Sequence, residues 1–600
     1  MNHSINHRSL IFFIAALFCH MGIAFGFRLT GQLEQRLFNE ILLYGALAFS
    51  VTWALWKYHK TYLIHFIIIL ILYLLSVYLL RDFSNNGLAA SEAIELGTSL
   101  FSLSALLGTA AVSLKHKFTH GVFLFLFYAG MIITAGIPLL GLGYGFISGG
   151  NALSSDLVLA VFQTNPREAI AFLEDQPLSR WAVAIFALFL FLFLEVKISH
   201  KMLQNASVQK WLPIVVTGAL LILNIKSSVP RLHTYYLANT IVSTRRSLNS
   251  YKSYRKHQKE RLDRLRNLTD LTILPEAKGT YVLIIGESAS RDHMHAYGYE
   301  RENTPWMDRM KEVPGTTLFK KAYANYCQTV PALTYALSGK NQYNDVNLED
   351  AYSIIEIAKA AGYETYWLSN QARFSVAETP VSEMASTADH QIWLNGRSSS
   401  PTEANYPDKD LVSYLPDSIP DTPTLIVLHI MGNHGKYADR YPKNFEVFKG
   451  KGRRLDGYDN SILYVDSVLK SVFEKTSRYP NFKGFIYMPD HGEHPEDGRT
   501  HQPDKFTYQM VHIPLMIYLP PSNAASRPVL YETAKSHVAS PWTNDLLYDA
   551  MIDLLGIQNA PFTSSAYSIF SPDYHMTRQN LLTQHGQKTL EDDPDQGSGK

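Results

Sequence analysis

Three short apolar runs in this 600-residue chain each end in residues able to bind a metal or move a proton. Tyr281-Val282-Leu283-Ile284-Ile285 is stopped by Gly286 and followed by Glu287 and Ser288. Leu425 to His429 is followed by Ile430-Met431-Gly432-Asn433-His434-Gly435. Phe485 to Met488 is followed by Pro489-Asp490-His491-Gly492-Glu493, with His501 in the loop beyond. Runs this short, rich in β-branched residues and closed by glycine, predict buried strands. In open α/β sheets ligands lie just past the carboxyl ends of the strands. Oxygen and imidazole donors delivered there suit zinc. A lone Asp or His in a loop is usually only solvated, and it is the threefold repetition that points to a site.

A metal needs a nucleophile to act on. The stretch Asn325-Tyr326-Cys327-Gln328-Thr329-Val330-Pro331-Ala332-Leu333-Thr334 offers candidates. Pro331 suits the first turn of a helix. Thr329 would then lie at the helix N-terminus, where free N–H groups and the dipole favour a phosphate. A metal on its oxygen would favour the alkoxide. Thr329 also reads as a plain helix cap, a role compatible with catalysis. Cys327 is the rival nucleophile, although a thiolate beside zinc is more readily captured as a ligand.

The elements that must hold these residues fall into two unlike halves. Residues 1 to about 225 are dominated by apolar runs, and the rest reads as a soluble α/β protein. Strand-like runs (281–285, 365–368, 425–429, 485–488, 513–518) alternate with helix-like runs (332–337, 352–361, 456–474, 544–555), which predicts a mostly parallel sheet covered on both faces. The chain carries only Cys19 and Cys327, so there is no disulfide framework and no CxxC zinc site. Net charge is +1, so no global charge argues for nucleic acid.

In the first half, Leu10–Phe27, Leu37–Trp56, Tyr62–Leu80, Gly121–Ile147, Trp181–Val196 and Trp211–Ile225 read as membrane spans, and Gly97–Leu114 as a weaker one. The positive-inside rule selects seven. With an inside start, the inner loops hold Arg8, Lys57, Lys60, Lys115, Lys117, Lys197, Lys201 and Lys210, eight cations; the outer loops hold Arg28, Arg36, Arg81, Arg167 and Arg180, five. That count places the soluble part outside the cytoplasm. In the outer loop near 161–169, Asn165 and Glu168 would suit a lipid ammonium group, or equally the start of a short surface helix. From Arg245 to Arg266 nine Lys or Arg face only Glu260 and Asp263. This reads as a basic helix that attracts anionic lipid or as a solvated linker. The boundaries expected are 1–225 membrane domain, 226–275 basic linker helix, 276–580 catalytic domain and 581–600 disordered tail.

Gly286-Glu287-Ser288 with Arg291, His293, Tyr297-Gly298-Tyr299 and Asn303-Thr304-Pro305 resembles the opening motif of the bacterial phosphoethanolamine transferases. Thr329-Val330-Pro331, His429 to His434 and Asp490-His491-Gly492-Glu493 resemble the later motifs in order. The resemblance extends over nearly the whole chain, and the loop at 163–173 is most like members that modify the lipopolysaccharide core. It implies an N-terminal transmembrane helical bundle plus an α/β sulfatase-like (alkaline phosphatase-like) domain. It implies zinc, one ion or two, with Glu287, Thr329, Asp490 and His491 as ligands. His434 and His501 would contact the transferred phosphate or a second zinc. The implied reaction moves phosphoethanolamine from phosphatidylethanolamine to lipid A, core sugars or another envelope acceptor through a covalent adduct on Thr329, with His434 or His501 as proton donor. A monomeric inner-membrane enzyme facing the periplasm, of the kind linked to polymyxin resistance, is the expectation. Two departures stand out: this chain cannot form the disulfides of many lipid A-modifying members, and variation before the Thr-x-Pro leaves Thr334 as a distant rival. A phosphoglycerol transferase, a sulfatase or phosphodiesterase, and a non-enzymatic scaffold are the competing readings.

Overall fold

The computed structural model describes residues 60–80, 86–147 apart from 115, 178–204, 222, and 236–594 apart from 372–378, 396–406, 420 and 497–499. The chain divides into two compact units, 1–158 with 176–244 and 159–175 with 245–600.

In the first unit four helices are described: α1 (Lys60–Leu80), α2 (Asn86–Ser113), α3 (Lys117–Ile147) and α4 (Leu178–Gln204). Two segments, Lys117–Leu140 and Leu178–Gln204, are long and apolar enough to cross a membrane by length and composition. Phe66, Tyr73, Phe101, Phe127 and Met131 pack inside, while Phe125, Phe186 and Phe189 point outward. An apolar exterior is what a lipid solvent permits. Small residues let the helices close up: a Cβ on Gly108 would meet the Phe127 ring at 2.6 Å. Inside this bundle His65 Nε2 meets Glu195 Oε1 at 3.0 Å, both side chains buried. Spans Leu10–Phe27, Leu37–Trp56 and, apart from residue 222, Trp211–Ile225, expected from sequence, lie outside the described residues. The serine-rich 97–114 stretch is helical as far as Ser113, within α2.

α5 (Tyr236–Lys256) runs from the first unit into the second, and α6 (Gln258–Arg266) follows it. An eight-stranded sheet follows: β1 (Thr280–Gly286), β2 (Thr316–Tyr323), β3 (Glu364–Ser369), β4 (His390–Trp393), β5 (Thr424–His429), β6 (Phe482–Pro489), β7 (His512–Tyr518) and β8 (Trp542–Thr543), in the order β4-β3-β5-β1-β6-β7-β2-β8. Only β7 runs against the rest. Every residue of β1 is buried, because the central strand is covered on both faces. The covering helices include α7 (Thr329–Ala336), α8 (Ile354–Ala361), α9 (Arg453–Thr476) and α10 (Leu547–Leu555). α8 starts with a capping box, Ser353 with Glu356, and ends on Gly362 in the left-handed region.

Two expectations need correction. The end of the basic stretch is packed against the rest of the second unit and is not a free linker. Arg261 is fully buried, 3.6 Å over the Tyr254 ring and 3.7 Å from Glu356, and Arg264 reaches Asp350 at 3.0 Å. Arg255, Arg261 and Arg264 meet Glu383, Glu356 and Asp350 of the second unit, an arrangement that composition cannot reveal. Residues 581–594 are packed rather than disordered: Leu581, Leu590 and Asp593 are buried, and Asp593 accepts from His512 at 2.9 Å. Two leucines and one paired carboxylate outweigh the polar composition of the segment around them.

Candidate metal centre

Parallel pairing puts the ends of β1, β5 and β6 side by side, with Ile285 opposite His429 and Gly286 opposite Pro489. The residues just past those ends therefore converge. Glu287, Asp490 and His491, all buried, each offer one ligand atom within 4.8 Å of one another. His491 Nε2 lies 3.4 Å from Glu287 Oε1 and 3.4 Å from Asp490 Oδ2. Its Nδ1 is 2.7 Å from the Gly492 carbonyl. A proton on Nδ1, donated there, leaves the Nε2 lone pair facing the carboxylates, the second-sphere orientation typical of a ligating histidine.

The carboxylates are supported unequally. Glu287 accepts from Ser288 Oγ at 2.9 Å and from Gln371 Nε2 at 3.1 Å. Asp490 Oδ1 accepts from the amides of Ser288 at 3.1 Å and His491 at 2.7 Å. Its Oδ2 is buried with no hydrogen-bond partner. Burial pushes Glu287 up, yet the hydrogen bond and charge of His491 hold it well below the usual carboxylate range. Burial and the charge of Glu287 drive Asp490 up instead. Two buried carboxylates this close repel one another unless a cation sits between them. The partnerless Oδ2 and the oxygen–oxygen–imidazole donor set fit a divalent metal.

Thr329 completes the group. It is the first residue of α7, with Gln328 in the capping position, so its hydroxyl is not spent on capping. Thr329 Oγ1 lies 3.3 Å from both Glu287 oxygens and 3.5 Å from His491 Nε2. The first bond of α7 in this turn is donated by Ala332 to the Gln328 carbonyl, so the amides of Thr329 and Val330 precede it. The rivals point elsewhere. The buried thiol of Cys327 faces Gln584 Oε1 at 3.6 Å, and Thr334 Oγ1 donates to the Val330 carbonyl at 2.6 Å.

His501 and His434 flank the centre. The His501 ring is 4.7 Å from that of His491 and 6.4 Å from that of His434. Glu493, fully buried, accepts from His501 Nδ1 at 2.9 Å. Desolvation holds His434 neutral, its pKa drawn down to about 4. Gly432 is required here: its φ is +50° and a Cβ would lie 2.8 Å from the Glu287 amide. Asn165 and Glu168 lie outside the described residues.

Other positioning residues carry no motif signal. Asp408 accepts from the amides of Met431 at 2.7 Å and Gly432 at 2.9 Å, fixing the His434 loop. Tyr458 donates to the Ser288 carbonyl at 2.8 Å and accepts from the Ser290 amide at 2.9 Å. Asn544 accepts from the Asn325 amide at 2.8 Å and donates to the Asp490 carbonyl at 2.7 Å, which joins the Thr329 loop to the metal loop. Gln371 was within reach of sequence reasoning, since it follows β3 as Glu287 follows β1.

A parallel sheet whose strand ends gather carboxylates, imidazole and a helix-borne hydroxyl is an arrangement that could hold a metal beside a nucleophile. Residues 279–557 match the family model "Sulfatase". Among curated relatives, phosphoethanolamine transferase EptC of Escherichia coli (strain K12) is 30% identical over 270 residues, 42% of this chain and 46% of that one. Phosphoethanolamine transferase CptA of Salmonella typhimurium is 27% identical over 326 residues, 50% of this chain and 56% of that one. The matched stretch spans about half the length of these relatives. The integral membrane protein lipooligosaccharide phosphoethanolamine transferase A (EptA) from Neisseria meningitidis shares the fold at a TM-score of 0.52 and 16% identity, over 87% of this chain and 97% of that one.

Proposed function

We propose that the chain is a zinc-dependent transferase that moves phosphoethanolamine from phosphatidylethanolamine to a lipopolysaccharide acceptor, a core sugar or lipid A, through a covalent phosphoethanolamine–Thr329 adduct. The observation that carries this reading is the Thr329 hydroxyl, 3.3 Å from both oxygens of a buried glutamate and at the open first turn of a helix. The names of the curated relatives support the group transferred. Glu287, Asp490, His491 and Thr329 are the residues that would hold the metal. Bound there, zinc would favour the deprotonated threonine oxygen and offset the charge on the phosphoryl group.

The chain's own residues supply the rest. Thr329 Oγ1 attacks phosphorus, the bond from phosphorus to the diacylglycerol oxygen breaks, and that oxygen takes a proton. The acceptor oxygen then displaces Thr329 and restores its hydroxyl. The first-turn amides of α7 orient the phosphate. His501, its Nδ1 fixed by Glu493, presents Nε2 as the proton donor and later acceptor. His434, neutral, serves as a hydrogen-bond partner. Positioning and charge neutralisation are most of what phosphoryl transfer asks of a protein. The apolar helices would give access to a bilayer-borne donor, with the domain in the periplasm and the protein in the inner membrane.

The test is peptide mass spectrometry after incubation with phosphatidylethanolamine. A mass increase equal to phosphoethanolamine is expected on the peptide holding Thr329. It should vanish in Thr329→Ala and persist, reduced, in Thr329→Ser. An adduct on Thr334 or Cys327, or normal transfer by Thr329→Ala, would overturn the reading. Release of free phosphoethanolamine without transfer would make the protein a hydrolase.

A further inference from the structure

Near its C-terminal end the chain returns to the loop that carries Thr329. Leu582–Thr583 pairs with Lys588–Thr589 as a short antiparallel hairpin. Two strands of two residues do not hold themselves together in water. What holds them is the chain on both sides of α7. Before α7, Thr583 Oγ1 donates to the Ala324 carbonyl at 2.8 Å, and the His585 amide donates to the Asn325 carbonyl at 3.2 Å. Cys327 Sγ reaches Gln584 Oε1 at 3.6 Å. After α7, the Leu582 amide donates to the Tyr343 hydroxyl at 3.0 Å and Gln342 Nε2 to the Leu582 carbonyl at 2.8 Å. The Gly586 amide donates to Gln342 Oε1 at 2.9 Å.

His585 is at the centre of this grip. Its ring stacks on that of Tyr335 in α7, centroids 4.1 Å apart and planes 11° from parallel, and lies 4.7 Å from the Tyr326 ring. Its Nε2 is 3.0 Å from Asn325 Oδ1, a contact across 260 residues of chain. Asn325 Nδ2 is already committed as donor, to the Ala332 carbonyl at 3.0 Å and to Asn544 Oδ1 at 2.7 Å. Its Oδ1 only accepts, so His585 Nε2 carries the proton and donates. Asn325 thereby closes residues 325 to 332 into a loop with Thr329 inside it, and Asn544 continues the line to the Asp490 carbonyl. The backbone at the hairpin tip points the same way. Gln584, His585 and Gly586 have φ of +53°, +50° and +84°. Tight hairpin turns usually take such backbone from glycine or asparagine. A glutamine held there is strained, and strain of this kind persists where surrounding contacts over-determine it, most often at functional sites.

We infer that His585 is a positioning residue for Thr329: through Asn325 and Tyr335 it holds the first turn of α7 and so sets the direction from which the hydroxyl attacks. The inference rests on the transferase reading and adds to it a residue of the C-terminal hairpin. Attack needs the oxygen aligned on phosphorus, and a misplacement of about 1 Å costs on the order of a hundredfold in rate.

The experiment uses the full chain in neutral detergent micelles with phosphatidylethanolamine and no acceptor, and follows the rate at which the Thr329 adduct forms. His585→Phe keeps a ring on Tyr335 and removes the donor to Asn325. His585→Gln, whose amide nitrogen stands where Nε2 stood, restores the donor. In His585→Phe the maximal rate of adduct formation should fall by roughly tenfold or more, while the half-saturating phosphatidylethanolamine concentration stays within about twofold. Metal content should be unchanged and the melting temperature should fall by no more than about 4 °C, the scale of one lost hydrogen bond. His585→Gln should recover most of the rate. A normal rate in His585→Phe overturns the inference alone. A loss that His585→Gln does not recover, or that comes with lost metal or a larger fall in melting temperature, assigns His585 to folding and overturns it as well. Absence of any adduct in the natural chain removes the transferase reading and this inference together.

Discussion

Asp490 Oδ2 is the atom on which the metal reading turns, because a buried carboxylate oxygen without a partner costs free energy until something positive occupies its front. Losing one ligand of about four should weaken metal binding sharply. His491→Ala and Asp490→Asn are therefore expected to lose zinc on dialysis against a chelator while the natural chain keeps it, measured by elemental analysis. Full zinc retention by either variant would sink the ligand assignment. A second residue gives a pH signature away from the metal. His293 is buried, which lowers its pKa, but Asp459 and Glu496 outweigh that and lift it to about 9. Glu496 is 3.0 Å from its Nε2. A histidine raised on folding contributes stability that is fully present below about pH 6.5 and lost as pH climbs through about 9. After allowance for solvent around half-exposed Glu496, that contribution is on the order of 2 kcal/mol. Melting temperature should fall across pH 6.5–9, and His293→Gln should flatten that fall; an equal slope in the variant would refute the pairing. At this scale strand-end position and residue type together marked Glu287, Asp490 and His491, which the structure brings within 4.8 Å of one another, and His434 beside them. The sequence did not expose Asp408, Tyr458 or Asn544, whose work is done through backbone hydrogen bonds between segments far apart in the chain.

Among the elements, the five strands foreseen from apolar runs all form, whereas β2, β4 and β8 were not anticipated. β2 carries Lys320 and Lys321 within Thr316–Tyr323, so no continuous apolar run marks it. β8 is two residues long and exists only because β2 is beside it. The reversed strand β7 read as an ordinary buried run; its direction is a property of the connection, not of the composition. The basic stretch shows the same limit from the other side. Arg261 looked like one cation among nine, yet it is the buried one, stacked on Tyr254 and beside the Glu356 that caps α8. Removing it leaves Glu356 buried without its cation, a change that typically costs about 3–5 kcal/mol. Arg261→Ala should lower the melting temperature of the soluble unit markedly, and Arg264→Ala, on an exposed pair, should barely move it. Equal effects of the two would show that α6 is held by something other than the buried pair.

For the whole molecule, the question is which side of the membrane the catalytic unit occupies. We propose seven spans with an inside start, on the balance of eight inner against five outer cations. Reporter fusions after Lys117 and after Lys210 should both report the cytoplasm, and a fusion after Thr244 the opposite side. A periplasmic signal at Lys117 or Lys210 would remove one span and reverse the placement. The two-part organisation was legible because lipid-facing helices and a buried parallel sheet leave very different compositions. The boundary was less so. The contact division falls at Thr244 and Arg245, within one continuous helix and where the cationic run begins, some twenty residues past the boundary expected at 225.

The order of strands in the sheet also sets a timetable. β1 is made first but lies in the middle, and its two neighbours, β5 and β6, are synthesised some 140 and 200 residues later. Contacts of such long sequence separation form slowly. Glu287 therefore emerges long before Asp490 and His491 exist, and the three-residue cluster is not yet present on the nascent chain. If the domain matures after export, its ion has to be drawn from the free pool of the compartment where it folds. On the zinc reading proposed above, competition for scarce zinc in that compartment would then limit how much active protein a cell obtains from a given amount of message.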